Sequence, residues 1–168
     1  MRDGVDEILK QWQRERPDVD TGPMGVIGRL SRVTRLIENR LRESFAQQGL
    51  QPHEFDILAT LRRAGAPYQL TAGQLMQASM VTSGAITNRI DRLVSKGWVE
   101  RETDPDNRRS VNIRLSDSGR EKVDAALAQH LATEASLLTS LSTTEQIQLT
   151  RLLRTLSIDL GDRPLGES

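Results

Sequence analysis

The chain reads as mainly α with a small β-wing: a winged helix-turn-helix with N- and C-terminal dimerisation helices. Three observations predict this. Between Leu70 and Leu115, two short helical patterns run directly into a strand, a charged turn and a second strand. On both sides, apolar residues recur every three or four positions, the period of a helix with one buried face. The chain has 168 residues and no cysteine, enough for one well-packed domain with appended helices and no disulfides.

The elements follow in order. Residues 1–20 form an extra N-terminal helix, with Val5, Ile8, Leu9 and Trp12 in an i, i+3, i+4, i+7 stripe that Pro17 ends. Trp12 there is a docking residue. Residues 21–49 form a dimerisation helix, in which Val26, Leu30, Val33, Ile37, Leu41 and Phe45 share a face. Residues 50–116 are the winged helix-turn-helix. Thr71 precedes Ala72-Gly73-Gln74 with capping-box spacing, so a helix starts there and ends near Ala78. Ser79-Met80-Val81 connects it to a second helix, Thr82 to Lys96, which Gly97 closes in the left-handed conformation. Two helices joined this way place the second in the DNA major groove.

Along the second helix Ile86, Ile90, Leu93 and Val94 form the inward stripe. Gly84, Thr87, Asn88, Asp91, Arg92 and Ser95 lie opposite. Small hydrogen-bonding groups at the start of that face suit base edges and phosphates. After Gly97, Trp98 to Glu102 reads as a strand, and Val111, Ile113 and Leu115 alternate with Asn112 and Arg114 as its partner. The turn between them carries Arg108 and Arg109. A narrow A·T-rich minor groove concentrates negative potential and draws in arginine. Ser83, Thr87, Asn88, Arg92, Arg108 and Arg109 are therefore the candidate DNA contacts. Residues 117–160 supply C-terminal dimerisation helices. One starts at Ser116 and carries Val123, Leu127, Leu131 and Leu138. The other opens on the capping box Ser142-Thr143-Thr144-Glu145. This is more apolar helix than a winged helix needs, so the excess is expected to pack on a second copy of the chain. Residues 161–168, rich in Gly, Pro and charge, read as a flexible tail.

Composition excludes other classes. Net charge is zero, which argues against nonspecific wrapping of nucleic acid, but Thr87 to Arg114 holds seven basic and five acidic side chains. His53 and His130 lie far apart and show no metal-ligand spacing. There is no metal cluster, no nucleophile–base constellation and no phosphate loop, so neither an enzyme nor a bound cofactor is expected. The polar start is not a signal peptide, and apolar runs are too short to span a membrane. A soluble, cytoplasmic protein is expected.

Thr82 to Leu93, then Lys96-Gly97-Trp98-Val99-Glu100-Arg101, then Asp104 to Val111 and Leu115-Ser116, resemble the MarR family of bacterial transcription regulators. The resemblance covers about residues 25–160. Asn107 stands where the family's wing has aspartate, and Ser116 where it has threonine; the first removes a possible brace on the wing arginine. The resemblance implies a homodimer that binds double-stranded DNA at a pseudo-palindromic operator and acts as a ligand-responsive repressor. The N-terminal segment, with Trp12 and the following Arg-Pro-Asp-Val-Asp, is similar to the family's urate-responsive, PecS-like branch. That likeness implies a ligand site of Trp12, Asp56, Arg89 and Arg101, with urate or a similar aromatic anion as effector.

Elementary chemistry bears on the same residues. Arg89 lies at the edge of the apolar stripe, where a guanidinium needs an anion or acceptor. Asp56 is a candidate partner. The pair reads equally as an effector switch and as an ion pair that merely orients the second helix. Other readings stay open: a regulator of phenolic-acid or drug response without urate specificity, a ligand-free DNA-binding protein, or a winged-helix module that binds protein.

Overall fold

The computed structural model describes residues 2–78, 86–103 and 111–163. They fall into two compact units, residues 1–41 and 42–168, each described by itself.

In the first unit, α1 (Gly4–Glu15) packs beside the N-terminal part of α2 (Gly22–Gln47). Asp3 caps α1 in a capping box with Asp6, which satisfies the orphan N–H groups of the first turn. Both carboxylates also hold Arg29 of α2, Asp3 at 2.9 Å and Asp6 at 2.6 Å. The helices approach closely because Gly28 and Gly25 face Val5 and Leu9, where an added Cβ would lie 3.4 Å from each side chain. Val5 is buried. The rest of the α1 stripe opens onto an apolar pocket of about 540 Å³, lined by Ile8, Leu9, Trp12, Met24 and Ile27 with Arg32.

The second unit holds α3 (Pro52–Arg63), β1 (Gln69–Thr71), α4 (Ala72–Ala78), α5 (Ile86–Ser95), β2 (Val99–Thr103), β3 (Val111–Leu115), α6 (Asp117–Leu137) and α7 (Thr143–Asp159). The antiparallel sheet has strand order β1-β3-β2. The predicted wing strands form in register, Val99 opposite Leu115 and Thr103 opposite Val111. Arg114 crosses that ladder to Glu100 at 2.6 Å and Glu102 at 3.2 Å. The third strand, β1, was not read from the sequence; it pairs Gln69–Thr71 with Asn112–Arg114.

The core lies where α3 meets α4, α5, the sheet and α6. Ile57, Leu58 and Leu61 of α3, Leu75 of α4 and Leu93 of α5 have no exposed surface. Each such side chain contributes about 1.5–3 kcal/mol of burial free energy. His130 serves this core: its ring stacks on Phe45 at 5.2 Å and lies 4.9 Å from Phe55.

Both predicted capping boxes are present. Thr71 N–H donates to Gln74 Oε1 at 2.9 Å, and Gln74 N–H returns a bond to Thr71 Oγ1 at 3.1 Å. Ser142 and Glu145 do the same at the start of α7. Gly97 ends the α5 segment with φ of +70°, a conformation glycine adopts without a Cβ penalty. Among the described residues, no helix is long and apolar enough to cross a membrane.

Candidate nucleic-acid interface

The described part of the second helix-turn-helix helix is α5, and its two faces have opposite chemistry. Ile86, Ile90 and Leu93 are buried, while Thr87, Asn88, Asp91, Arg92 and Ser95 are exposed. Val94, read as part of the inward stripe, is 38% exposed and lies at the edge of the buried face. Thr87, Asn88 and Arg92 stand together on the outer face at i, i+1 and i+5. Ser83, Arg108 and Arg109 lie outside the described residues.

Among the described residues two ion pairs hold α5, and neither was foreseen. At its C-terminal end, Lys96 Nζ lies 2.6 Å from Oε1 of Glu54 on α3. The Glu54 side chain is only 3% exposed, and its second oxygen accepts from Gln51 N–H at 3.0 Å. Lys96 also sits 4.6 Å from the centre of the Trp98 ring, a distance at which cation and π-face attract. Near the middle of α5, Arg101 of β2 pairs with Asp91 Oδ1 at 2.5 Å and reaches the Thr87 carbonyl at 3.4 Å. The wing strand is thus tied to the helix beside it. Asp91, read as an outward-facing group, is exposed, and its partner is Arg101 of β2.

Removing Lys96 would strand a buried carboxylate, and the loss of one partner of a buried pair is usually worth several kcal/mol. Water reaches the lysine end, whose side chain is 37% exposed, which moderates the loss. Lys96→Met is expected to destabilise the protein by about 2–3 kcal/mol. Urea denaturation checks this, and a midpoint equal to that of wild type would show that the pair contributes nothing.

Of the predicted ligand-site residues, Asp56, Arg89 and Arg101 lie in the second unit. Asp56 on α3 and Arg89 on α5 are both half-buried, and the Nη1 of Arg89 is buried without a hydrogen bond. His53, one turn before Asp56, also has a buried nitrogen, Nε2, without a hydrogen bond. Burial, and then the positive charge of Arg89, hold the His53 imidazole below its ordinary value of 6.5; Arg92 and Lys96 add to this and Glu54 opposes it. Arg101 is engaged with Asp91. Trp12 belongs to the first unit, where it is 43% exposed beside the apolar pocket.

The capping pattern Gln51-Pro52-His53-Glu54 could have marked Glu54 as the third residue of a helix. No local signal marks Lys96, Asp91 or the His53 nitrogen. Among the described residues, no group of His, Asp and Glu could hold a metal ion.

An outward polar helix, tied by ion pairs to α3 and β2 and flanked by a three-stranded wing sheet, defines a winged-helix DNA-binding protein. The chain belongs to the MarR family. The family pattern matches residues 48–110. The regulator PecS of Dickeya dadantii is 44% identical over 149 residues, covering 89% of this chain and 90% of PecS. The multiple antibiotic resistance protein MarR of Escherichia coli is 33% identical over 94 residues, 55% of this chain and 63% of MarR. A cysteine-to-serine mutant of E. coli MarR complexed with operator DNA superposes with a TM-score of 0.68 at 25% identity, covering 86% of this chain and 96% of that one. A Streptomyces coelicolor MarR family regulator in complex with DNA has the same fold, with a TM-score of 0.75 at 20% identity over 86% and 91% of the chains. The protein is a DNA-binding transcriptional regulator of the PecS-like branch, not an enzyme.

Proposed function

We propose that this regulator is a two-fold dimer that represses from a pseudo-palindromic operator and is released by a small aromatic anion such as urate. The observation that carries the effector reading is the Arg89 guanidinium. It sits on the inner side of the helix whose outer side carries the proposed DNA contacts, with a buried nitrogen that makes no hydrogen bond. A planar anion answers that need, since a guanidinium binds anions through paired N–H donors. The resemblance adds Trp12 as the aromatic residue for stacking and Arg101 as a second cation.

Release follows from competition. An anion that draws on Arg89 and Arg101 and repels Asp56 weakens the Arg101–Asp91 tie and shifts the outer face of α5 from its operator-bound geometry. A loss of operator affinity of about 100-fold needs a coupling of roughly 2.7 kcal/mol, within the ordinary range for allostery. Dimerisation is supported by apolar side chains left exposed: Leu36 on α2, Leu131 on α6, and Leu152 and Ile158 on α7 are each more than half exposed. Large apolar side chains left exposed on each of these helices are suited to contact with a partner, and a symmetric dimer covers them with a second copy. The proposed DNA contacts are Ser83, Thr87, Asn88, Arg92, Arg108 and Arg109.

The test is fluorescence anisotropy of the purified protein on DNA upstream of its own gene, titrated with urate at fixed salt. Specific binding released by urate is the expected result. Binding that urate leaves unchanged sinks the urate reading and turns the search to phenolic acids. Light scattering at micromolar concentration should give twice the chain mass of 18.8 kDa.

A further inference from the structure

We propose that His53 is itself a ligand contact of the effector site, its Nε2 donating beside Arg89 Nη1 to acceptor atoms of one planar anion. The inference rests on the effector reading above and names a residue that neither the resemblance nor the ion-pair network assigns.

Its basis is a pair of buried nitrogens. His53 Nε2 on α3 and Arg89 Nη1 on α5 are both inaccessible, and neither makes a hydrogen bond. Their helices pack on each other, and among charged side chains Arg89 acts most strongly on the His53 ring. Buried polar atoms in folded proteins are paired with few exceptions, and an exception points to a water, an ion or a ligand. Two exceptions on helices that pack together can be met by one occupant.

The chemistry says which kind. With the proton on Nε2, both atoms are donors, so the occupant must bring acceptors. Burial, then the cation Arg89, with Arg92 and Lys96 adding and Glu54 opposing, lower the pKa of the imidazole and so favour its neutral form. His53 therefore adds a directional donor rather than a second charge. One guanidinium fork already takes both oxygens of a simple carboxylate. A ligand that also uses His53 needs acceptors on more than one edge, as the oxygens and ring nitrogens of urate provide. The class is thus a planar, oxygen- and nitrogen-rich heteroaromatic anion.

The experiment is calorimetric titration of urate into full-length wild type, His53→Leu, His53→Gln and His53→Asn, each checked by thermal melting. Leucine removes the donor, and one hydrogen bond is worth about tenfold in affinity. The glutamine amide extends about as far as Nε2 and should recover most of that loss. The asparagine amide stops short of it and should not. Urate binding that is equal in all four proteins overturns the role of His53 and leaves the effector reading standing. A loss in His53→Gln as deep as in His53→Asn, with both proteins folded, also overturns it, because it means the imidazole only fills space. If His53→Leu fails to fold, the Gln and Asn pair decides the question. No urate binding by wild type would overturn the effector reading, and this inference with it.

Discussion

Gly119→Ala is expected to destabilise the protein by about 3 kcal/mol or more, against the sign that helix propensity alone would give. Gly119 lies in the first turn of α6, where alanine is intrinsically favoured over glycine by about 1 kcal/mol. An alanine Cβ would stand 1.9 Å from the Trp98 carbonyl oxygen and 2.8 Å from its carbon. Those are backbone atoms, and they cannot swing aside. The same carbonyl accepts from Ser116 N–H at 3.1 Å. The neighbouring Gly97 carbonyl accepts from the Ser116 and Ser118 hydroxyls at 2.7 and 2.9 Å. The start of α6 is thus built onto the turn that joins α5 to β2. Moving it off Trp98 breaks those bonds, and overpacking of this kind ranks among the costly substitutions. For a chain of this size the loss should appear as a melting point lower by about 6–12 °C. Gly73→Ala is the control. It is also a helical glycine, but its nearest foreign atom would be Thr71 Oγ1 at 3.9 Å, so it should be neutral or slightly stabilising. Equal melting points for the two variants would contradict this account.

Arg92→Ala should cost more in operator affinity than any other single truncation on the described face of α5. Arg92 is exposed, one turn beyond Asn88, and makes no ion pair among the described residues. An arginine contact to a base or phosphate is worth about 1–3 kcal/mol. The proposed two-fold dimer loses it twice, so the expected total is about 2–6 kcal/mol. Salt dependence separates the two kinds of contact. A phosphate contact lowers the slope of log affinity against log salt by about one per subunit, whereas a base contact leaves the slope and relaxes sequence preference. Anisotropy on the operator at several salt concentrations reads both. Arg151→Ala, an equal charge change on the exposed surface of α7, should alter neither. If Arg92→Ala binds the operator as wild type does, the outer face of α5 is not the reading surface.

The sequence by itself determined most features whose physics is local, though the capping boxes at Asp3 and Gln51 went unread. The capping boxes at Thr71 and Ser142, the left-handed glycine after Lys96, and the buried side of α5 from Ile86 to Leu93 all rest on hydrogen bonds or periodicities spanning a few residues. The wing strands announced themselves by alternation over Val111 to Leu115. Family motifs, being contiguous, were equally legible. Only the tertiary structure decided what depends on docking. The strand Gln69–Thr71 is too short to show a period and forms because the free edge of β3 offers it a ladder. Lys96 meets Glu54 across 42 positions of sequence, and Arg101 meets Asp91 because the wing folds back on the helix. Gly119 is obligatory only because the Trp98 carbonyl sits against it. The nitrogens of His53 and Arg89 are buried without partners in the packed protein, which no local pattern shows. Each helix's pattern states which side it buries, but which atoms meet there depends on the distance and angle at which elements pack, and those belong to the whole core.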